Sequence, residues 1–168
     1  MRKSVAAYGS SLFLALAPGT VAVLLPWWLT GWRAGDWWQP LRLLGLVPLA
    51  AGAAVLLMAF ARFVTEGIGT PAPVAPTERL VVGGLYRYVR NPMYVAVDAT
   101  IAGQALLLAR PVLFVYGGCA GLLMWAFARW YEGPDLGRRF GAEYDRYRKA
   151  VPGWWPRLRP WDPDSAAY

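Results

Sequence analysis

Histidine does not occur among the 168 residues. Its absence removes imidazole general acid–base catalysis, histidine metal ligation and Ser-His-Asp triads together. Cysteine occurs once, as Cys119, which excludes a disulfide framework, a CxxC redox pair and a thiolate metal cage. No metal site is expected. Charge is scarce as well, at 16% of residues against roughly 25% in soluble domains. What is abundant is apolar: 57% hydrophobic residues, ten Trp and a mean hydropathy of +0.32. An ordinary cytosolic enzyme, a disordered chain and a coiled coil are thereby excluded. The length suits one domain, residues 1–168, on the usual scale of roughly 100–200. The remaining charge is one-sided, 17 Lys and Arg against 10 Asp and Glu, a net +7. In so apolar a chain that excess points to membrane orientation, and no nucleic-acid partner is expected.

Four apolar stretches stand out. Residues 5–29 and 43–61 carry no charge, and each is near the roughly 20 residues that cross about 30 Å of hydrocarbon. Residues 93–109 are shorter and contain Asp98 and Gln104, while 111–128 are again clean. Pro18 and Pro48 sit inside the first two, where a kink is tolerable. Arg2-Lys3 and Ala15-Leu16-Ala17 imitate a signal peptide, but the apolar run resumes after Thr20 and reaches Leu29, too long for a signal core. The first span is expected to stay. The expected fold is an all-α membrane protein with four transmembrane helices.

Charge placement orients it. Arg33, Arg42 and Arg110 fall on one side, and the other 14 basic residues fall on the opposite side. By the positive-inside rule both termini, the 62–92 loop and the 129–168 tail are cytoplasmic in a multi-pass protein. Trp27, Trp28, Trp37 and Trp38 flank the outer loop, where an interfacial aromatic belt belongs.

The cytoplasmic parts carry the information. Gly67-Ile68-Gly69-Thr70-Pro71-Ala72-Pro73-Val74-Ala75-Pro76 reads as extended chain, since its prolines forbid helix and central strand. It lacks the third glycine and the βαβ setting of a dinucleotide fingerprint. Next, Gly83-Gly84 breaks the chain before Leu85-Tyr86-Arg87-Tyr88-Val89-Arg90-Asn91-Pro92-Met93-Tyr94. Asn91 precedes a proline and is biased away from α, so Pro92 is expected to open the third span. Its N-terminus, with free N–H groups, would then lie beside Arg90 at the membrane surface. After the fourth span, Gly133, Pro134 and Asp135 suit the start of a new helix. In it Leu136, Phe140, Tyr144, Tyr147 and Val151 form one apolar stripe, Gly137 and Gly141 weaken it, and Pro152 ends it. This C-terminal helix reads as amphipathic and interfacial, or as the roof of a pocket.

Several residues resist a scaffold reading. Asp98, one turn beyond Tyr94, costs a few kcal/mol at membrane depth. It is a functional candidate, or else a structural partner for Arg90 or Arg129 or simply close to the cytoplasmic surface; Asp98 and Arg129 form the candidate catalytic set. Gln104 suits an interhelical hydrogen bond. Glu132 lies three residues after Arg129, on the same helical face, where a surface ion pair would also explain it. Cys119 reads as a small buried apolar residue. Together these imply a small polarised cavity on the cytoplasmic side, with tyrosine faces (Tyr86, Tyr94), a cation (Arg90) and an acid (Glu132). S-adenosyl-L-methionine suits it: Arg90 or the helix N-terminus for its carboxylate, Glu132 for its amine, tyrosine faces for its sulfonium. Methyl transfer is an in-line displacement that positioning can drive, so the missing histidine is no obstacle.

At these residues the chain resembles the isoprenylcysteine carboxyl methyltransferase / phospholipid methyltransferase family of integral-membrane enzymes. The match rests on the 67–73 loop, on Leu80-Val81 through Gly84-Leu85-Tyr86 to Arg90-Asn91-Pro92-Met93-Tyr94, and on Glu132 through Leu136, Phe140-Gly141, Tyr144 and Tyr147 to Val151-Pro152. These cover roughly residues 62–157. The resemblance implies S-adenosyl-L-methionine in a cytoplasmic-facing pocket outside any Rossmann fold, and a lipophilic or small acceptor, including membrane lipid. It implies cofactor contacts at Leu80, Val81, Tyr86, Arg90, Asn91, Pro92, Tyr94 and Glu132. Two positions depart from the family pattern: Asn91 stands where histidine is frequent, and Gly133 where a second glutamate is favoured. Membrane sterol reductases resemble the same motif set and use NADPH, so hydride transfer is the rival activity. A catalytically silent scaffold is the third reading. The acceptor and the oligomeric state are not legible.

Overall fold

The computed structural model describes residues 16–35, 41–67 and 79–163. Outside them lie Arg2 and Lys3, residues 5–15 of the expected first span, Trp37, Trp38 and residues 68–76 of the proline-rich loop. All regular structure among the described residues is helical, and no strand is present there. In chain order the helices are α1 (Leu16–Thr30), α2 (Leu46–Gly67), α3 (Pro92–Leu107), α4 (Pro111–Phe127) and α5 (Gly133–Ala150). A 3₁₀ turn, Leu41–Gly45, leads into α2. Two stretches are long and apolar enough to cross a membrane: Leu41–Arg62 and the helical run that begins at Pro111. Large apolar side chains face outward along both, with Val47 70% and Leu123 70% exposed. Water would penalise such faces; lipid does not.

Two clusters hold the fold. Within the bundle, Val97 and Ile101 of α3 pack against Ala22 of α1 and Ala120 of α4. At one end, Tyr144, Tyr147 and Val151 pack against Val81, Tyr86 and Ala59. The stripe expected along the C-terminal helix is therefore buried against protein. Glycines bring α2 and α3 unusually close. A Cβ built on Gly103 would lie 2.5 Å from the Leu49 nitrogen and 2.8 Å from the Gly45 carbonyl. Small residues that let backbones touch are the usual helix contact in lipid, where no hydrophobic drive is left.

Polar groups inside the bundle bond across helices. Gln104 donates from Nε2 to the Ala22 carbonyl at 2.6 Å, and the Tyr116 hydroxyl donates to the Val21 carbonyl at 2.7 Å. At the end away from Tyr86, Arg42 caps the last turn of α3 through Nε to Leu107 O, and Arg110 donates to Arg33 O. Trp27 and Trp28 are exposed near that end.

Three expectations change. No new helix starts with a cap at Gly133: its φ of −58° and ψ of −52° are helical, and α4 runs into α5 through a π turn, Ala128–Glu132. The Gly133 N–H bonds to the Ala128 carbonyl, five residues back. A second π turn, Thr20–Leu24, lies in α1 with Leu25 bonding back to Thr20. Each wide turn ends two residues before a proline, Pro26 or Pro134. A proline ring clashes with the carbonyl four residues back, and the widened turn makes room for it without ending the helix. The break expected near Gly133 comes instead at Gly141, whose φ of 51° and ψ of −125° only glycine adopts without strain. Finally, Cys119 is exposed on the outer face of α4 rather than buried.

Candidate functional site

The segment before α3 is built to present side chains. Gly84, at a φ of 57°, turns the chain into the 3₁₀ turn Gly84–Arg87, which buries Tyr86. Tyr147 of α5 fixes that turn by donating its hydroxyl to Tyr86 O at 2.7 Å. Burial pushes the Tyr147 phenol up, so it stays protonated as a donor. Asn91 is the N-cap residue at φ −114° and ψ 54°, outside the α region as a pre-proline residue should be, and Pro92 is the first residue of α3.

Residues 151–161 strap this segment down. The Arg90 and Asn91 N–H groups donate to the carbonyls of Pro152 at 2.9 Å and Gly153 at 3.2 Å. The Arg90 side chain donates from Nε to Val151 O at 2.9 Å and from NH1 to the Tyr144 hydroxyl at 3.3 Å. Its orientation is therefore fixed by its fold partners, while N–H groups on the guanidinium remain for a ligand. A Cβ on Gly153 would sit 3.2 Å from the Arg90 NH2 nitrogen, so the strap passes directly against the guanidinium.

The π turn delivers the acid. Tyr94 donates its hydroxyl to Glu132 Oε2 at 3.1 Å, and its ring stacks on Trp154 with centroids 6.2 Å apart. Burial pushes the Glu132 carboxyl above its ordinary range, while the Tyr94 hydrogen bond and the nearby Arg90 charge pull it back. Oε1 carries no hydrogen bond among the described residues.

These groups surround a cavity of about 270 Å³ lined by Tyr86, Arg90, Asn91, Pro92, Met93, Tyr94, Val97, Met124 and Glu132, and by Ala17, Pro18 and Val21 of α1. Six residues singled out from sequence thus line one space, although they come from stretches about 40 residues apart. Four others do not line it. Leu80 and Val81 pack into the cluster around Tyr144 and Val151. Asp98 faces Gly121 of α4, where a Cβ would lie 2.7 Å from Oδ2, and its buried Oδ1 has no hydrogen-bond partner among the described residues. It pairs with neither Arg90 nor Arg129. Arg129 is exposed, and no ion pair joins it to Glu132 among the described residues, because the π turn spreads residues three apart onto different faces.

Sequence reasoning missed the α1 wall and the apolar lining from Met93, Val97 and Met124. Only Pro18 marked α1 as unusual; Val97 and Met124 lie within a turn or two of Tyr94 and Glu132, which was the available signal. Trp154, behind Tyr94, had none.

Residues 41–143 match the model of one family, described as phospholipid methyltransferase. The matched stretch contains Tyr86, Arg90, Tyr94 and Glu132 and leaves out α1 and the 151–161 strap. No curated protein matches the chain.

Proposed function

The chain belongs to the phospholipid methyltransferase family, a family of membrane methyltransferases, and we propose that it moves a methyl group from S-adenosyl-L-methionine to a membrane lipid. The cosubstrate occupies the cavity at the mouth of α3, on the cytoplasmic face of a four-span protein. The observation that carries this reading is the convergence of Arg90, Asn91, Tyr94 and Glu132 on one cavity within the matched family region.

The lining suits the cosubstrate by chemistry and nearly by size. Small-molecule sites begin at roughly 300 Å³, so a ligand of this length fills the cavity and reaches its mouth. Glu132 offers a carboxylate to an ammonium group. The Arg90 guanidinium and the unpaired N–H groups at the start of α3 offer donors to a carboxylate. Val21, Met93, Val97 and Met124 exclude water, which strengthens each of those interactions. When bound, the cosubstrate supplies a methyl group on a positively charged sulfur, and the aromatic faces of Tyr86 and Tyr94 attract such a cation. Displacement needs alignment rather than a proton relay, so fixed geometry supplies most of the rate. Asp98, one turn deeper on α3, is the acceptor-side residue of this proposal; exposed Arg129 has no part in it.

Thermal unfolding of the detergent-solubilised protein with S-adenosyl-L-methionine, S-adenosylhomocysteine or NADPH tests the reading. A ligand at 100 times its dissociation constant stabilises by about 2.7 kcal/mol. Stabilisation by the adenosyl ligands alone is expected. Stabilisation by NADPH alone would move the assignment to hydride transfer.

A further inference from the structure

The 151–161 strap does more than hold Arg90, because its outer side is unlike a water-facing loop. Trp155 is 82% exposed and Leu158 is 99% exposed. Neither can turn inward, since the backbone around them is pinned. The Asn91 N–H bonds Gly153 O, the Arg157 N–H bonds Tyr88 O at 3.0 Å, and the Trp161 N–H bonds Arg87 O at 2.9 Å. The two apolar side chains are thus held outward by the same bonds that shape the cavity wall. Cations flank them along the chain. From residue 146 to residue 161 the chain has five basic residues and no acidic one. Arg148, Lys149 and Arg159 are exposed and have no ion pair among the described residues. The height of the strap is also set: it is bonded to residues 87–91, and α3 begins its apolar course at the next residue, Pro92.

Outward-held Trp and Leu, flanked in the chain by exposed cations and bonded to the segment from which α3 starts, have the chemistry of an interfacial anchor. We propose that residues 146–161 dock on an anionic lipid surface, with Trp155 and Leu158 entering the headgroup region and Arg148, Lys149 and Arg159 meeting lipid phosphates. Aromatic and aliphatic side chains supply the buried area, and the cations supply selectivity for negative charge. The inference does not depend on the methyltransferase reading, because it concerns the face turned away from the cavity.

A nitroxide on Leu158→Cys, in a Cys119→Ser background that removes the exposed native thiol, reports the contact directly. The full chain is placed in nanodiscs of phosphatidylcholine alone and of phosphatidylcholine with phosphatidylglycerol. Collision with oxygen and with a water-soluble nickel chelate is then measured. In the anionic discs the label is expected to gain oxygen contact and lose nickel contact severalfold, and high salt should reverse the change. Each basic residue at such a surface is worth roughly fivefold in the docking equilibrium, so R148Q/K149Q/R159Q should lower it by about a hundredfold and erase the difference between discs. An unchanged unfolding midpoint of that variant verifies its fold. Equal nickel access in both discs would overturn the proposal, as would shielding that ignores the charge variant.

Discussion

Glu132→Gln should move binding and stability in opposite directions. Glutamine keeps the size of the side chain and an oxygen for the Tyr94 hydroxyl, which bonds Oε2 at 3.1 Å, so the cavity wall is preserved. What is lost is the negative charge. A hydrogen bond to a charged group is worth about 1.5–3 kcal/mol, so the dissociation constant for S-adenosyl-L-methionine should rise roughly tenfold to 150-fold. The free protein should respond differently. Burial holds the Glu132 carboxyl above its ordinary range, so the folded state takes up a proton that the unfolded state releases. Such a group favours folding below its unfolded pKa, and that contribution disappears as pH rises through the raised folded value. Under mildly alkaline conditions the wild type holds a buried charge at a cost, and the glutamine variant does not. Unliganded Glu132→Gln should therefore melt no lower than the wild type, while calorimetric titration shows weakened binding. Wild-type affinity should also fall on acidification, as Glu132 is protonated, and the variant should lack that dependence. Unchanged affinity would remove Glu132 from the site; joint loss of stability and binding would mean that the cavity had collapsed instead.

Tyr94→Phe deletes the donor that pulls the Glu132 carboxyl down, so the pH midpoint of cosubstrate binding should move upward; a downward movement in a pH series of titrations would contradict the pairing. Asp98→Asn should leave affinity for the adenosyl ligands unchanged, since Asp98 does not line the cavity, and should lower turnover with a lipid acceptor. Wild-type turnover would make Asp98 structural. Gly103→Ala forces a Cβ to 2.5 Å from the Leu49 nitrogen on α2 and to 2.8 Å from the Gly45 carbonyl in the turn before it, so the helices must separate. The cost should be about 1–3 kcal/mol, visible as a melting point lower by several degrees.

The site was more legible in sequence than the way the helices carry it. Arg90, Asn91 and Pro92 announce themselves through pre-proline geometry, and Asn91 does adopt a non-helical conformation before a helix that starts at Pro92. Glu132 stands out as an acid at the end of an apolar run. Its neighbours were harder to place. Arg129 shares a face with Glu132 only if the helix is regular, and it is not. Cys119 sits in a run apolar on all sides, where periodicity cannot separate the lipid-facing side from the packed side. The α1 wall is invisible for the same reason: Ala17 and Val21 differ in nothing from their neighbours until α1 is docked. Leu80 and Val81, carried over from the family resemblance, serve the packing behind Tyr86.

The two π turns also bear on how such a site arises. Each amounts to one surplus residue inside an otherwise continuous helix. The first includes Val21 and the second ends at Glu132, and both side chains face the same cavity. In an uninterrupted helix the residue before Glu132 would occupy its angular position. The acid thus reaches Tyr94 through chain length as much as through residue identity. Deleting one residue between Ala128 and Tyr131 would be absorbed by a return to ordinary α pitch. A tally of conserved letters would overlook this, whereas a one-residue gap in an alignment would expose it. Insertions and deletions, usually dismissed as loop events, can in this way reshape a cavity from within a continuous helix.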